Sequence, residues 1–199
     1  MIIDFYEMCK RIKGDIMPSD ERKKTIEQKV NSIISQYKIG EAGFDITKFL
    51  INCEGFEIGL QYMDDDTTGM LIVDDNNYLP NTNTHRLIII NETLKIQNDF
   101  LRRKRFIIAH EYGHYILHKN NEVQFAHRDT SKKDNPKEKE ADFFARCLLM
   151  PKKLITELMS LSMFNSMNIE QKTEFISNAF NVTTKKAYQR LFELGYISN

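Results

Sequence analysis

The chain has 199 residues, 41% of them hydrophobic, which fits one domain with a small appendage and supplies enough apolar material for a sizeable core. Lys plus Arg and Asp plus Glu both number 28, so charge gives no argument for nucleic acid or a membrane surface as partner. Three cysteines (Cys9, Cys53 and Cys147), odd in number, far apart and without C-x-x-C spacing, argue against a disulfide framework and for a reducing compartment.

The opening MIIDFYEMCK lacks the pattern of a signal peptide, and no apolar run approaches the ~18 residues of a membrane span. A soluble, cytoplasmic protein is expected. Residues 2–13 read as a short helix, broken at Gly14 and Pro18. Ser19 or Asp20 then caps a longer helix whose apolar positions Ile26, Val30, Ile33, Ile34 and Tyr37 share one side, ended by the Gly40–Gly43 turn. Asp45 starts another short helix to about Asn52.

The period then changes. Phe56, Ile58, Leu60 and Tyr62 alternate with polar residues and predict a half-buried strand. Asp64-Asp65-Asp66 reads as a solvated turn, because the spaced ligands and glutamate of a calcium loop are missing. Gly69–Asp74 is a second strand, Asp75–Arg86 an Asn-rich loop, and Leu87–Ile90 a third, fully apolar strand central in a small sheet.

A helix from Asn98 or Asp99 to about Lys119 follows, its basic run Arg102–Arg105 read as a solvated face. Within it lies His110-Glu111-Tyr112-Gly113-His114, an H-E-x-x-H motif. Residues four apart share a helical face, about 6 Å apart along the axis at ~1.5 Å rise per residue. Two imidazoles so placed converge on one Zn²⁺ at roughly 2.0–2.1 Å from each nitrogen. Glu111, about 100° round the helix, reaches a water there without ligating the metal. A metal lowers that water's pKa towards ~7, and the carboxylate takes its proton during attack on a carbonyl. Gly113, costly by ~1 kcal/mol in a helix interior, makes sense where another backbone or a substrate approaches closely. His118 falls about 20° from Glu111 in projection, either near the site or as a helix C-cap. Residues 120–134 read as a polar connecting loop in which His127 is surface decoration.

A catalytic zinc takes three protein ligands and keeps one position open. The candidates for the third lie in NPKEKEAD, residues 135–142, where Asn135 as N-cap and Pro136 at the first helical position open a helix that ends at Pro151. Glu138 also sits where a capping box would place it. In projection Glu138 shares a face with Ala141, Asp142 and Ala145, small residues that let a helix approach, whereas Glu140 shares one with Phe143, Phe144 and Cys147. Glu138 is favoured, with Glu140 the alternative. Asp142, one turn beyond Glu138, can accept the second ring N–H of a ligating histidine.

RRKRFIIAHEYGHYILH (102–118) followed by EKEADFFARCLLMP (138–151), with the strand segments GMLIVDD and RLIIIN before them, resembles the ImmA/IrrE-type metallopeptidases. The likeness covers roughly residues 45–151. It implies Zn²⁺ held by His110, His114 and Glu138, Glu111 as base, and a zincin-like fold of a small sheet flanked by helices. It also implies a protein substrate, since characterised proteases of the family cleave a helix-turn-helix repressor encoded nearby, often in phages or mobile elements. Tyr112 stands where the family commonly has Leu, and Asp142 where Asn is frequent.

Residues 152–167 read as helical and Met-rich, and Ile169–Phe180 with Thr184–Leu194 as two helices round an Asn181–Thr183 turn, Thr183 capping the second and Gly195 ending it. The pair resembles a helix-turn-helix, but Lys185, Lys186, Gln189 and Arg190 are few for reading bases, so packing, dimerisation or substrate recognition is the expected use and nucleic acid is not expected as a direct ligand. The expected architecture is α+β: a helical segment 1–44, a zincin-like core 45–151, and a helical tail 152–199 packed with the core. The expected function is a zinc-dependent endopeptidase, with His118 and Tyr115 as candidates to stabilise the oxyanion. The alternative is a non-catalytic regulatory module with a structural zinc that binds a repressor or DNA.

Overall fold

The computed structural model describes residues 17–63, 67–80, 82–118, 124–129 and 135–198. The helix expected over 2–13 and the acidic turn at 64–66 lie outside the described residues. The chain is α+β, with seven α-helices among the described residues and one four-stranded mixed sheet. It divides into two compact units, one of Asp45–Ala145 and one of Met1–Phe44 with Arg146–Asn199.

The first unit contains the sheet. Helix α2 (Ile46–Glu54; α1, Asp20–Tyr37, belongs to the other unit) is capped by the Asp45 carboxylate, which accepts from the backbone of Thr47 and Lys48, and Gly55 in the left-handed region ends it. Strands β1 (Glu57–Gln61), β2 (Thr67–Val73), β3 (Arg86–Asn91) and β4 (Gln124–Asp129) lie in the order β1-β3-β2-β4, with β1 parallel to β3 and the other two pairings antiparallel. Leu71, Val73, Ile88 and Ile90 are buried, the period-2 face on which the long helix α3 (Phe100–His118) packs. The apolar segment Leu87–Ile90 is central, as expected.

Two expectations fail. β1 is an edge strand, and its alternation does not mark a continuous half-buried face: Phe56, just before it, is buried and Ile58 partly so, but Leu60 and Tyr62 are exposed. The stretch read as a loop over 120–134 contains β4, whose backbone pairs with β2 from Val73↔Gln124 to Thr67↔Asp129 across an irregularity between Thr67 and Met70. Its sequence, QFAHRD, carries one large apolar residue and no β-branched one, so pattern gave no sign of a strand held by backbone pairing.

Arg105 to Tyr115 of α3 are all buried, a run without the polar face of a surface helix. Arg105 therefore departs from the solvated face expected for the basic run; burial lowers its pKa, and the charge of Asp45 opposes that shift. Helix α4 (Pro136–Leu149) meets α3 at Gly113, where an added Cβ would lie 3.0 Å from Phe144 Cδ1 and 3.3 Å from both Cα and O of Ala141. The close backbone approach expected of this glycine is thus supplied by α4. Tyr112, fully buried, meets Phe49, Phe56 and Phe144 edge-on at centroid distances of 5.9, 6.0 and 5.8 Å, filling the space beside that contact.

In the second unit, helix α1 (Asp20–Tyr37) buries Ile26, Val30 and Ile33, and Lys38 in the left-handed region ends it ahead of the glycine turn. The remaining helices are α5 (Lys152–Met159), α6 (Ile169–Ala179) and α7 (Thr184–Glu193), with one 3₁₀ turn at Ser162–Asn165. Asn168 and Gln171 form a reciprocal capping box at the start of α6. Thr183 holds the N-cap position of α7, but its side chain makes no cap hydrogen bond; Gly195, at φ +75°, follows the last turn. Gln189 and Arg190 are buried. The Arg190 guanidinium donates from Nε to the Met150 carbonyl at 3.2 Å and from Nη1 to Glu193 at 3.3 Å, and Glu193 in turn accepts from Arg146 Nε at 2.6 Å.

Gly113→Ala gains helix propensity of ~1 kcal/mol but overpacks the Ala141 contact, which typically costs about 1–3 kcal/mol. A net loss of stability is expected, seen as a lower urea midpoint; an unchanged or raised midpoint contradicts the packing described. Burial pushes the Cys147 thiol up to about 12, so at pH 8 iodoacetamide should modify exposed Cys53 and leave Cys147 intact by peptide mass mapping.

Candidate metal centre

Helix α3 presents His110 and His114 one turn apart, their Nε2 atoms 3.0 Å from each other. Helix α4 brings the carboxylates. Asn135 accepts from the Lys137 backbone N–H at 3.0 Å, and Pro136, with no N–H to leave unpaired, takes the first helical position. Glu138 thereby reaches the histidines rather than acting only at its own helix end: its Oε2 lies 3.1 Å from His110 Nε2 and its Oε1 3.1 Å from His114 Nε2. One donor atom from each of the three residues lies within 4.8 Å of the others. Glu140 lies apart from this cluster, with Oε2 2.9 Å from His118 Nε2.

The next layer of contacts orients the rings. Asp142 Oδ1 is 2.8 Å from His110 Nδ1, as the i+4 spacing from Glu138 led one to expect. His118 Nδ1 is 3.2 Å from His114 Nδ1. Both nitrogens of His110 therefore face carboxylates. Without a cation, both must carry protons for both contacts to be hydrogen bonds. A cation on the Nε2 side satisfies the same arrangement with a neutral ring. Two imidazole nitrogens and a carboxylate, with no thiolate, suit a borderline divalent ion, so the residues fit a metal.

Burial disfavours ionisation of Glu138, but hydrogen bonds from His110 and His114 outweigh it and hold its carboxyl well below the usual range. Burial also lowers the pKa of His114; the Glu138 contact opposes this and the charges of His110 and His118 add to it. An ionised carboxylate beside a neutral imidazole is the protonation state that metal ligation requires.

Glu111 is fully buried on the side of α3 that faces the sheet. Sequence reasoning missed what makes room for it. A Cβ at Gly69 of β2 would lie 2.5 Å from Ile107 Cγ2 and 3.0 Å from Glu111 Oε1, so only glycine lets the strand run past this carboxylate. A glycine inside a strand pattern was the available signal. Tyr115 sits elsewhere: its ring meets Phe56 edge-on at 5.3 Å and lies 4.9 Å beneath the Arg86 guanidinium. The side chain of His127 lies outside the described residues.

Burial lowers the pKa of His114 in the fold below the ordinary value of 6.5, so the unfolded state binds more protons in acid. Glu138, held ionised in the fold, acts with the same sign as pH falls through 4.5. Chelator-treated protein should therefore lose stability from pH 7 downward, first through the histidine and then through the carboxylate. Urea midpoints at pH 7.5, 5.5 and 4 check this; midpoints that hold or rise on acidification contradict it.

Residues 53–192 match the peptidase M78 family, described as the IrrE N-terminal-like domain. Over 103 residues the chain is 33% identical to metallopeptidase ImmA of Bacillus subtilis (strain 168), a stretch that takes in 51% of this chain and 57% of that protein. The family match runs from the end of α2 through the sheet, α3 and α4 and into α7, so the chain belongs to the ImmA/IrrE-type family of metallopeptidases.

Proposed function

We propose that this chain is a zinc-dependent endopeptidase of H-E-x-x-H type, with a zincin-like core over residues 45–151, a helical segment before it and a helical tail at 152–199. The observation that carries the reading is the convergence of His110, His114 and Glu138 from two helices, with Glu111 buried next to His110 in the space left by Gly69. Among the described residues the cluster has three donors, which supports an open catalytic position over a site closed by four protein ligands.

Zinc, when bound, supplies an acidified water and polarises the scissile carbonyl. His110 and His114 would hold it through Nε2 and Glu138 through its carboxylate. Asp142, accepting from His110 Nδ1, would leave the Nε2 lone pair free for ligation. Glu111 would accept a proton at its carboxylate during attack and deliver it to the leaving amine, from a position packed against Gly69 of β2. Tyr115 and His118 are the side chains considered for the oxyanion; His118 is the nearer to the donor cluster, through His114. The substrate class is a protein, and a helix-turn-helix repressor encoded beside the gene is the substrate to test first, in the cytoplasm.

Co-expression with that repressor tests the reading. Wild type should give discrete fragments by mass spectrometry. Glu111→Gln should slow cleavage by at least about 10²-fold, the usual share of a general base, with zinc content unchanged. Cleavage at the wild-type rate by Glu111→Gln would remove Glu111 from the mechanism. An intact repressor that co-purifies with both forms would establish instead a binding module with a structural zinc.

A further inference from the structure

His110 and His114 are ligands of the same type on the same helix, yet their Nδ1 atoms are held differently. Asp142 meets His110 directly, whereas the atom 3.2 Å from His114 Nδ1 is another imidazole nitrogen, Nδ1 of His118. Two imidazole nitrogens form a hydrogen bond only when one is protonated and the other is not. Glu140 decides which. Its Oε2, 2.9 Å from His118 Nε2, accepts a proton there. A neutral His118 protonated at Nε2 has a bare Nδ1, which accepts from His114 Nδ1–H. That leaves the His114 Nε2 lone pair on the side of His110 and Glu138.

We infer that Glu140 and His118 form a two-step tautomer relay that fixes His114 as a metal ligand. Both are positioning residues: neither belongs to the three-donor cluster. The three rings descend one face of α3 at four-residue intervals, and His118 is only part-buried, with a side chain 10% exposed against 16% for Glu140. The relay is the outer end of the ligand array and joins His118 of α3 to Glu140 of α4, the helix that also supplies Glu138 and Asp142. The inference rests on the zinc reading above, so its test separates the two.

Long-range imidazole ¹⁵N–¹H spectra of ¹⁵N-labelled wild type, metal-free and zinc-loaded, read the tautomer of each of the 5 histidines. With zinc bound, when the Nε2 atoms no longer donate to Glu138, His118 protonated at Nε2 with Nδ1 bare and His114 protonated at Nδ1 are expected. His118 protonated at Nδ1 in the zinc-loaded form overturns the relay. A wild type that binds no zinc overturns the metal reading instead, and with it the purpose of the relay.

Zinc affinity by chelator competition supplies the second arm. His118→Leu removes the acceptor and should weaken binding about 10–100-fold, the usual effect of losing a ligand's orienting partner. His118→Asn has nearly the same bulk and offers a carbonyl oxygen to His114 Nδ1–H, so it should recover most of that loss. Equal affinity in wild type and His118→Leu, or equal losses in both variants, overturns the inference and makes His118 a packing residue.

Discussion

The contact of α4 with α3 at Gly113 is the constraint on which the rest depends. A side chain at 113 would meet Ala141 and Phe144, so glycine sets how closely the two helix backbones approach. That distance decides whether Glu138, one turn before Ala141, reaches two imidazoles or falls short of them. Small residues on one helix and glycine on the other achieve what a longer side chain on a looser pair would not: a carboxylate held on both rings, its position fixed by backbone rather than by a flexible stem. Tyr112 and the aromatic rings round it hold the two helices in that register from the side.

Burying so many ionisable groups is costly, and the arrangement shows how the cost is offset. In the donor cluster the buried groups meet one another: His110 lies between Glu138 and Asp142, and Glu138 between His110 and His114. Glu138 stays ionised against the penalty of burial because two rings donate to it. In the second unit the same principle keeps Arg190 inside, between a carbonyl and Glu193. The difference lies in the donor set: Arg190 is met by protein groups, whereas His110, His114 and Glu138 converge as donors of the kind that hold a metal ion.

Legibility in the sequence followed the physics of each signal. The helices with apolar residues at 3.6 spacing were readable, α1 from Ile26, Val30 and Ile33, and α6 and α7 were readable from the Asn181–Thr183 turn between them and the Gly195 stop. The spacing of His110 and His114 carried its own geometry, and the small-residue face of α4 pointed to Glu138 over Glu140. Strand β4 was unreadable, because an edge strand is held by backbone pairing that leaves little trace in side-chain pattern. Arg105 misled, since the basic run reads as one solvated face and nothing local marks the member that turns inward. Glu140 looked like a rejected ligand; that it reaches His118 depends on where two helices cross, which neither helix encodes alone. Gly69 sits 42 positions before Glu111, and nothing local to the glutamate announces it.

The separation of the donors along the chain also sets an order of events. His110 lies 28 residues before Glu138 and 32 before Asp142. Closing a loop of that length costs on the order of 3 kcal/mol in chain entropy beyond a constant, and no three-donor cluster exists until it is closed. A nascent chain that has left the ribosome only through α3 carries His110, His114 and Glu111 but not Glu138, which completes the set. Assembly of the centre therefore waits for α4 to be made and docked, so fragments truncated before residue 138 are incapable of forming it however well their sheet folds.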